Sequence, residues 1–303
     1  YGAAGANGVI MITTKKGTAG KTNVVFTADY GVQTLARTLD VGDVDQYAAN
    51  IRQARANDGG VLANQIFDAQ YDGKRNNIDW QKEMTRVSLK QQYNLSASGG
   101  TEKIQSNLSL GYLNNDGVVI NTNYKRLTAR ANVVTKVTDY LEIGGDLNFV
   151  HTESYGSNAG LGNNGNLSSI RDWAFMAPTM DYVDPVTKKI VSPQVKYANG
   201  TYGAPEQGDV GSNDSNLGNN IYAEQMENTG KTKNNQVILS AYANLKLMKG
   251  LVFKSIASYN FNANNWYNFW GNKKRYFPDG TQVKLYNYDT KYYLGINNSN
   301  YNT

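Results

Sequence analysis

The sequence has no cysteine and a single histidine, His151, among its 303 residues. Disulfides, thiolate zinc sites, cysteine nucleophiles and iron–sulfur clusters are therefore excluded, and one histidine is too few for a histidine-based metal cluster. Proline is also scarce, with 5 residues, whereas the chain has 22 tyrosines and 30 glycines. Together with many asparagines and serines, this composition is typical of a β protein with polar loops.

Strong charge bias and long apolar runs are missing as well. The 30 lysines and arginines exceed the 25 aspartates and glutamates by only 5, and no basic block of five or more occurs. Nucleic acid is therefore not indicated as a partner. No stretch reaches the ~18 apolar residues of a transmembrane helix. A membrane β-strand needs only ~10 alternating residues, so a membrane location stays open.

Seven segments alternate between apolar and polar side chains with a period of two. In one of them Leu108 and Leu110 alternate with Asn107 and Ser109. Because alternate side chains of a strand point to opposite sides of a sheet, each segment predicts a strand with one apolar and one polar face. The segments are 24–32, 92–98, 104–112, 127–136, 141–149, 236–247 and 251–261.

Two features favour a membrane barrel over a soluble sandwich, whose strands would alternate in the same way. Short connections at 99–103, 137–140 and 248–250 alternate with longer ones at 34–90, 114–123 and 156–235. Outer-membrane barrels show this asymmetry, and they carry aromatic girdles near the strand ends. Aromatic residues stand near the segment ends here, at Tyr30, Tyr93, Tyr112, Phe149, Tyr259 and Phe261. We therefore predict an all-β fold, a transmembrane antiparallel β-barrel.

Local structure is predicted in three of the longer connections. Asp43 has the side chain of a helix N-cap and precedes an apolar pattern of helical period that extends to about Ala56. A further helical turn is predicted in 167–176, and a small external hairpin around 283–286. The remainder of 191–235 is polar and rich in glycine and asparagine.

The opening stretch, YGAAGANGVIMITTKKG, reads as one compact unit. Asn7-Gly8 is a turn signal, the run 9–14 predicts a strand buried on both faces, and Lys15-Lys16-Gly17 ends it. This stretch resembles the end of the plug domain in the SusC/RagA family of TonB-dependent outer-membrane transporters. The matching residues are Tyr1, Gly2, Gly5, Ala6, Asn7, Gly8, Val9, Ile10, Ile12, Thr13, Thr14, Lys15, Lys16 and Gly17.

The resemblance extends into the strands and covers about half of the chain, through Asp79-Trp80-Gln81, Tyr93-Asn94-Leu95-Ser96 and Leu110-Gly111-Tyr112. It implies a plugged barrel of about 22 strands, of which only the first seven or so lie in this chain. Residues 1–20 would be the C-terminal end of the plug domain. Residues 21–303 would be the N-terminal part of the barrel, with long extracellular loops at about 34–90, 156–235 and 262–303.

The resemblance also implies a function. Members of this family import nutrients actively across the bacterial outer membrane, usually an oligosaccharide and sometimes a peptide. They work with a SusD-type surface lipoprotein and with the TonB complex, whose contact segment would precede Tyr1. The chain would cross the outer membrane several times, in contact with its lipid. A surface or secreted glycan-binding β module without transport remains the alternative from another class.

Candidate site residues are few. Trp173, Trp266 and Trp270 offer flat aromatic faces for a sugar or peptide, or else pack in a girdle or a loop. Asp209 and Asp214, with nearby asparagines, have the oxygen chemistry of a calcium site or of a solvated loop. Glu142 and Asp146 lie on one face of a strand; they are a carboxylate pair or charges lining a lumen.

No catalytic site is predicted. The sequence offers no nucleophile with a base, and His151, at the end of a predicted strand, is expected at a membrane interface or in a lumen. An outer-membrane enzyme would require a catalytic dyad that these residues do not supply. We therefore expect no enzyme activity and no cofactor other than the calcium considered above.

Overall fold

The computed structural model describes residues 8, 19–57, 77–156, 182–183, 186–187, 190–191, 194, 196, 202, 220–227, 229–270 and 291–302. Eight strands form a single antiparallel sheet in the order β1-β2-β3-β4-β5-β8-β9-β10. They are β1 Gly20–Gln33, β2 Ser88–Gly100, β3 Ile104–Asp116, β4 Asn123–Lys136, β5 Leu141–Gly156, β8 Thr229–Met248, β9 Leu251–Trp270 and β10 Lys291–Asn302. Two short strands, β6 Tyr182–Val183 and β7 Ile190–Val191, form a separate hairpin.

The seven predicted strands are all present, and strand structure extends into the connection that the sequence predicted at 262–303. β9 continues to Trp270, and β10 pairs with it from Lys291 to Asn302. The loops predicted at 34–90 and 156–235 are also shorter than expected, since β2 begins at Ser88 and β8 at Thr229. The extension of β8 contains only polar residues and glycine, and asparagines interrupt that of β9, so neither shows the regular period of two by which the other strands were predicted.

The register divides the side chains of the sheet into two faces. Along one face, neighbouring strands place side by side Val24, Ala97, Leu108, Ala131, Leu147, Leu239 and Tyr259. Along the other, the adjacent row is Asn23, Ser98, Asn107, Asn132, Asp146, Ser240 and Ser258. We refer to these as the apolar face and the polar face.

The apolar face is uncovered in the described part of the chain. Leu108 is 53% exposed, Leu110 54% and Leu147 39%, and no second sheet packs against them there. A soluble sandwich would bury this face against its partner sheet. An uncovered apolar face that continues across seven strands is instead typical of a sheet whose outer side contacts lipid.

Most of the buried apolar side chains of the described residues lie where the long connections meet, rather than in the sheet. Three helices take part: α1 Val44–Asn57, α2 Trp80–Glu83 and α3 Ile221–Glu227. The buried apolar side chains of these connections are Val44, Ala48, Ile78, Trp80, Met84, Ile221 and Ala223. None of the described helices is both long enough and apolar enough to cross a bilayer.

The predicted N-cap of α1 is confirmed. The Asp43 carboxylate accepts a hydrogen bond from the Gln46 backbone N–H at 2.9 Å, and the Gln46 side-chain oxygen accepts from the Asp43 N–H at 3.2 Å. This reciprocal pair satisfies two N–H groups that a helix start leaves without partners. The sequence therefore determines where the helix begins within the long β1–β2 connection.

Replacing Asp43 by alanine should weaken the start of α1 by about 1 kcal/mol, because the cap loses its acceptor. Hydrogen exchange of the first α1 amides should become roughly fivefold faster in the full-length protein. Asp40→Ala is the matched control, since it removes an exposed carboxylate outside the helix. Equal protection of α1 in both variants would contradict the capping assignment.

Candidate functional site

Trp266 lies on the polar face near the end of β9 that joins the long connections. The register pairs it with Thr232 of β8, and the pair below it on the same face is Asn234 and Asn264. An interfacial girdle lies on the apolar face of a barrel wall. The position of Trp266 therefore argues against the girdle alternative for this residue. The backbone of Trp270, the last residue of β9, pairs with that of Lys291 in β10.

Three asparagines close to Trp266 carry side-chain oxygens that are buried and lack a hydrogen-bond partner in the described part of the chain. They belong to Asn234, Asn262 and Asn264, which the register places on the polar face of β8 and β9. Buried acceptors normally have a donor. Because these oxygens are closed off from solvent, a ligand or water with hydroxyl or N–H groups would supply the donor only after the asparagine side chains turn toward it. An indole face beside several free acceptors is thus suited to a polar ligand with many donors.

The carboxylates of the polar face are held by amides rather than by each other. Asp146 accepts a hydrogen bond from the Asn132 side chain at 2.6 Å, and Glu142 accepts from Asn244 at 3.1 Å. These bonds give each carboxylate its own partner on a neighbouring strand. The arrangement agrees with the interpretation of lumen-lining charges and offers no shared proton of a catalytic pair.

The outer end of the apolar face carries a tyrosine girdle. The rings of Tyr30 and Tyr93 meet edge to face with centroids 5.8 Å apart, and Tyr93 stacks on Tyr112 at 6.5 Å. The hydroxyls of Tyr30 and Tyr93 are 2.7 Å apart. His151 shares this level of the apolar face and contacts the Asn235 side-chain oxygen through Nδ1 at 2.7 Å. By register His151 therefore lies on the apolar face with these tyrosines and not on the polar face.

Two long connections dock on the turn between β3 and β4. The Ile120 N–H donates to the carbonyl of Met84 at 3.1 Å, which joins the turn to the end of α2. The Asn121 side chain donates to the Gln225 carbonyl at 2.9 Å, and the Gln225 side chain donates to the Ile120 carbonyl at 3.0 Å. These bonds and the buried side chains described above form a docked rim at the loop end of the sheet.

Several predicted site residues lie outside the described residues: Trp173, Asp209, Asp214, Tyr1, Gly2, Asn7, Ile10, Thr13, Lys15 and Gly17. The helical turn at 167–176 and the hairpin at 283–286 do as well. Gly8 is described, and its φ of 99° is the positive value that the Asn7-Gly8 turn signal predicts. Within the described ranges, no group of three or more acidic or histidine side chains is placed to hold a metal.

The unpartnered asparagines were not predicted as site residues. Their signal is visible in the sequence, where Asn260, Asn262 and Asn264 recur with a period of two beside Trp266. The pattern was missed because the strand was predicted to end at residue 261, which left Asn262 and Asn264 outside it. Once β9 extends to Trp270, the same residues become a ladder on one face.

Curated relatives of the chain are TonB-dependent receptors, although no model of a known protein family matches it. TonB-dependent receptor P3 of Formosa agariphila is 35% identical over 144 residues, which cover 48% of this chain and 13% of the receptor. TonB-dependent receptor SusC of Bacteroides thetaiotaomicron is 28% identical over 172 residues, or 55% of this chain and 16% of SusC. The matches therefore span about one seventh of these relatives' length.

Solved transporter structures share the fold. The RagAB peptide importer in its closed-closed state superposes with a TM-score of 0.64 at 19% identity, over 89% of this chain and 31% of the other. The chain is thus similar in sequence to TonB-dependent receptors, SusC among them, and similar in fold to the RagAB transporter. The shared fold confirms the predicted antiparallel barrel wall, and the similarity to TonB-dependent receptors supports the predicted outer-membrane location.

The fold shared with these transporters gives the two faces of the sheet different expected surroundings. In a membrane barrel the apolar face is the outer surface of the wall, and the polar face lines the lumen. Barrels of this kind have short turns on the periplasmic side and long connections outside the cell. In that arrangement Trp266, its asparagines and the docked rim would lie at the extracellular end of the lumen.

Proposed function

We propose that this chain is part of a TonB-dependent importer that carries a polar oligomer, in the first instance an oligosaccharide, across the bacterial outer membrane. The observation that carries the proposal is the two-faced sheet. Its outer face is apolar and uncovered, and its inner face presents asparagine, serine and arginine to a wet lumen. A secreted glycan-binding module would need to bury that outer face, so it is less well supported.

The proposed mechanism is mechanical and needs no bond-making step in this chain. The ligand binds from outside, between the docked rim and the lumen wall that carries Trp266. A plug, whose C-terminal end we assign to residues 1–20, blocks the path. The TonB complex then pulls on the plug, and the ligand passes along the amide-lined polar face. We assign no catalytic role to any residue.

The substrate class rests on the surface around Trp266. A sugar ring stacks on an indole, and its hydroxyls can donate to the side-chain oxygens of Asn234, Asn262 and Asn264. A peptide is the second candidate, because backbone N–H groups can donate to the same acceptors. The solved RagAB structures, described as a peptide importer and a peptide transporter, add weight to that alternative.

The proposed partners follow from the family. A SusD-type surface lipoprotein would cover the extracellular mouth, for which the rim around Ile120 and Gln225 offers an ordered seat. The TonB complex would act on the plug. Calcium at Asp209 and Asp214 stays a prediction from the sequence.

Uptake and binding by the full-length receptor with its lipoprotein would test the proposal. The probes are starch, xylan and fructan oligosaccharides and a mixture of casein peptides. We expect one class to bind and to enter cells only when TonB is energised. Binding and uptake of neither class would overturn the proposal, and peptide uptake alone would select the second candidate.

Trp266→Ala should weaken binding of the imported oligomer about three- to tenfold, since the stacking surface is lost. Isothermal titration of the purified full-length complex measures this change. Tyr267→Ala is the matched control, because it removes the next aromatic side chain, which the register places on the opposite face. Unchanged affinity in Trp266→Ala would remove this residue from the ligand surface.

A further inference from the structure

Just outside the tyrosine girdle, the outward face of the sheet changes from apolar to basic. The row next to Tyr93, Tyr112 and His151 places Lys125 of β4 beside Glu153 of β5, and Glu153 beside Lys233 of β8. Lys231 lies two residues further along β8, on the same face. We call Lys125, Lys231 and Lys233 the lysine cluster.

The lysine cluster has an excess of positive charge. The Glu153 carboxylate lies 2.9 Å from the Lys231 ammonium and 3.5 Å from that of Lys233. One carboxylate thus faces three lysines. The other acidic side chain on this part of the face, Asp116, is on β3 and accepts a hydrogen bond from Asn123 at 2.7 Å. The side chains stay accessible, since Lys233 is 47% exposed and Lys125 is exposed.

The position of the lysine cluster along the membrane normal determines which part of the lipid lies beside it. A tyrosine girdle marks the boundary between hydrocarbon and headgroups, and basic side chains just beyond it extend toward the headgroups. The side chains of the cluster point away from the lumen, so an imported ligand does not reach them. Their neighbours are the headgroups of the outer leaflet. An ammonium group is a strong hydrogen-bond donor to phosphate.

We propose that Lys125, Lys231 and Lys233 bind the phosphate group of a phosphorylated lipid in the outer leaflet, with the apolar part of that lipid lying against the tyrosine girdle. Glu153 spaces the two β8 ammonium groups and limits their affinity for the anion. The inference rests on the orientation of the barrel in the proposed function. It does not depend on which oligomer is imported.

Binding of lipid A to the purified full-length receptor in a neutral detergent tests the proposal. The probes are phosphorylated lipid A, the same lipid after enzymatic removal of phosphate, and inorganic phosphate, each followed by native mass spectrometry. The triple variant Lys125→Gln, Lys231→Gln and Lys233→Gln should bind phosphorylated lipid A at least tenfold more weakly. The matched control, Lys90→Gln with Lys246→Gln and Lys254→Gln, removes the same charge from the polar face and should bind as the unmodified receptor does.

A second variant guards against a loss that merely reflects poor folding. Glu153→Gln should bind phosphorylated lipid A about threefold more tightly, because the carboxylate no longer competes for Lys231 and Lys233. A misfolded barrel would not gain affinity. Weaker or unchanged binding in Glu153→Gln would overturn the proposal. So would equal binding of dephosphorylated lipid, equal loss in the polar-face control, or displacement of the lipid by equimolar inorganic phosphate.

Discussion

Leu108→Arg is expected to lower the free energy of unfolding of the full-length receptor by about 2–4 kcal/mol, the cost of placing arginine on a lipid-facing strand at mid-membrane. Leu108 is central in β3, four residues from Tyr112 of the girdle and four from Ile104 at the opposite strand end. Its cross-strand neighbours, Ala97 and Ala131, are small and provide no counter-charge. Urea-induced unfolding in lipid vesicles measures the change.

Asn107→Arg is the matched control, since it introduces the same side chain one residue away on the polar face. The neighbours of Asn107 on that face are Ser98 and Asn132, in a row that continues to Asp146. In a wet lumen the cost should stay below about 1 kcal/mol. Equal costs at both positions would mean that the two faces do not meet different surroundings, and the membrane placement would then be wrong.

Gly100→Ala is expected to destabilise the barrel by about 2–3 kcal/mol, because the backbone there tolerates no side chain. Gly100 has a φ of 149° and ends β2 at a tight turn, in which the Thr101 N–H donates to the Ile104 carbonyl at 2.7 Å. A Cβ at this position would overlap the Ile104 carbonyl oxygen and lie 2.7 Å from the Cα of Gln105. The β2–β3 turn would have to open to admit it.

The control for this glycine is Gly145→Ala in β5. A Cβ there would meet only the Ser240 carbonyl oxygen at 3.7 Å, an ordinary contact, and no positive φ is involved. We expect a change within about 0.5 kcal/mol in the same unfolding measurement. If both variants lose stability equally, the effect arises from the added methyl group and not from the conformation of Gly100.

The apolar part of the wall could be predicted because hydrocarbon constrains one face only. The sequence of β3 shows this difference between the faces as an alternation of apolar Leu108 and Leu110 with polar Asn107 and Ser109. The turn after Gly100 and the cap at Asp43 were predictable for a related reason, since both depend on residues within a few positions. Turns, helix caps and lipid-facing strands can therefore all be predicted from residues that lie within a few positions of each other in the sequence.

The outer part of the wall could not be predicted in the same way. In the extension of β8 every residue is polar or glycine, and in that of β9 asparagines interrupt the apolar period. Their strand conformation comes from pairing with neighbours, as Asn302 pairs with Tyr259. The site around Trp266 depends on these extensions, which is why its asparagines became apparent only from the register. The docking of α3 on the β3–β4 turn joins residues about 100 positions apart, through Asn121 and Gln225.

The length of the β8–β9 hairpin determines how far the barrel wall extends beyond the membrane. Each strand has 20 residues, which at about 3.3 Å per residue and a tilt of about 40° rise ~50 Å. The hydrocarbon-facing band of such walls is only about 25 Å tall. The hairpin therefore extends about 25 Å beyond the hydrocarbon band of the bilayer. A molecule that diffuses toward the membrane at this point meets the hairpin before it meets lipid.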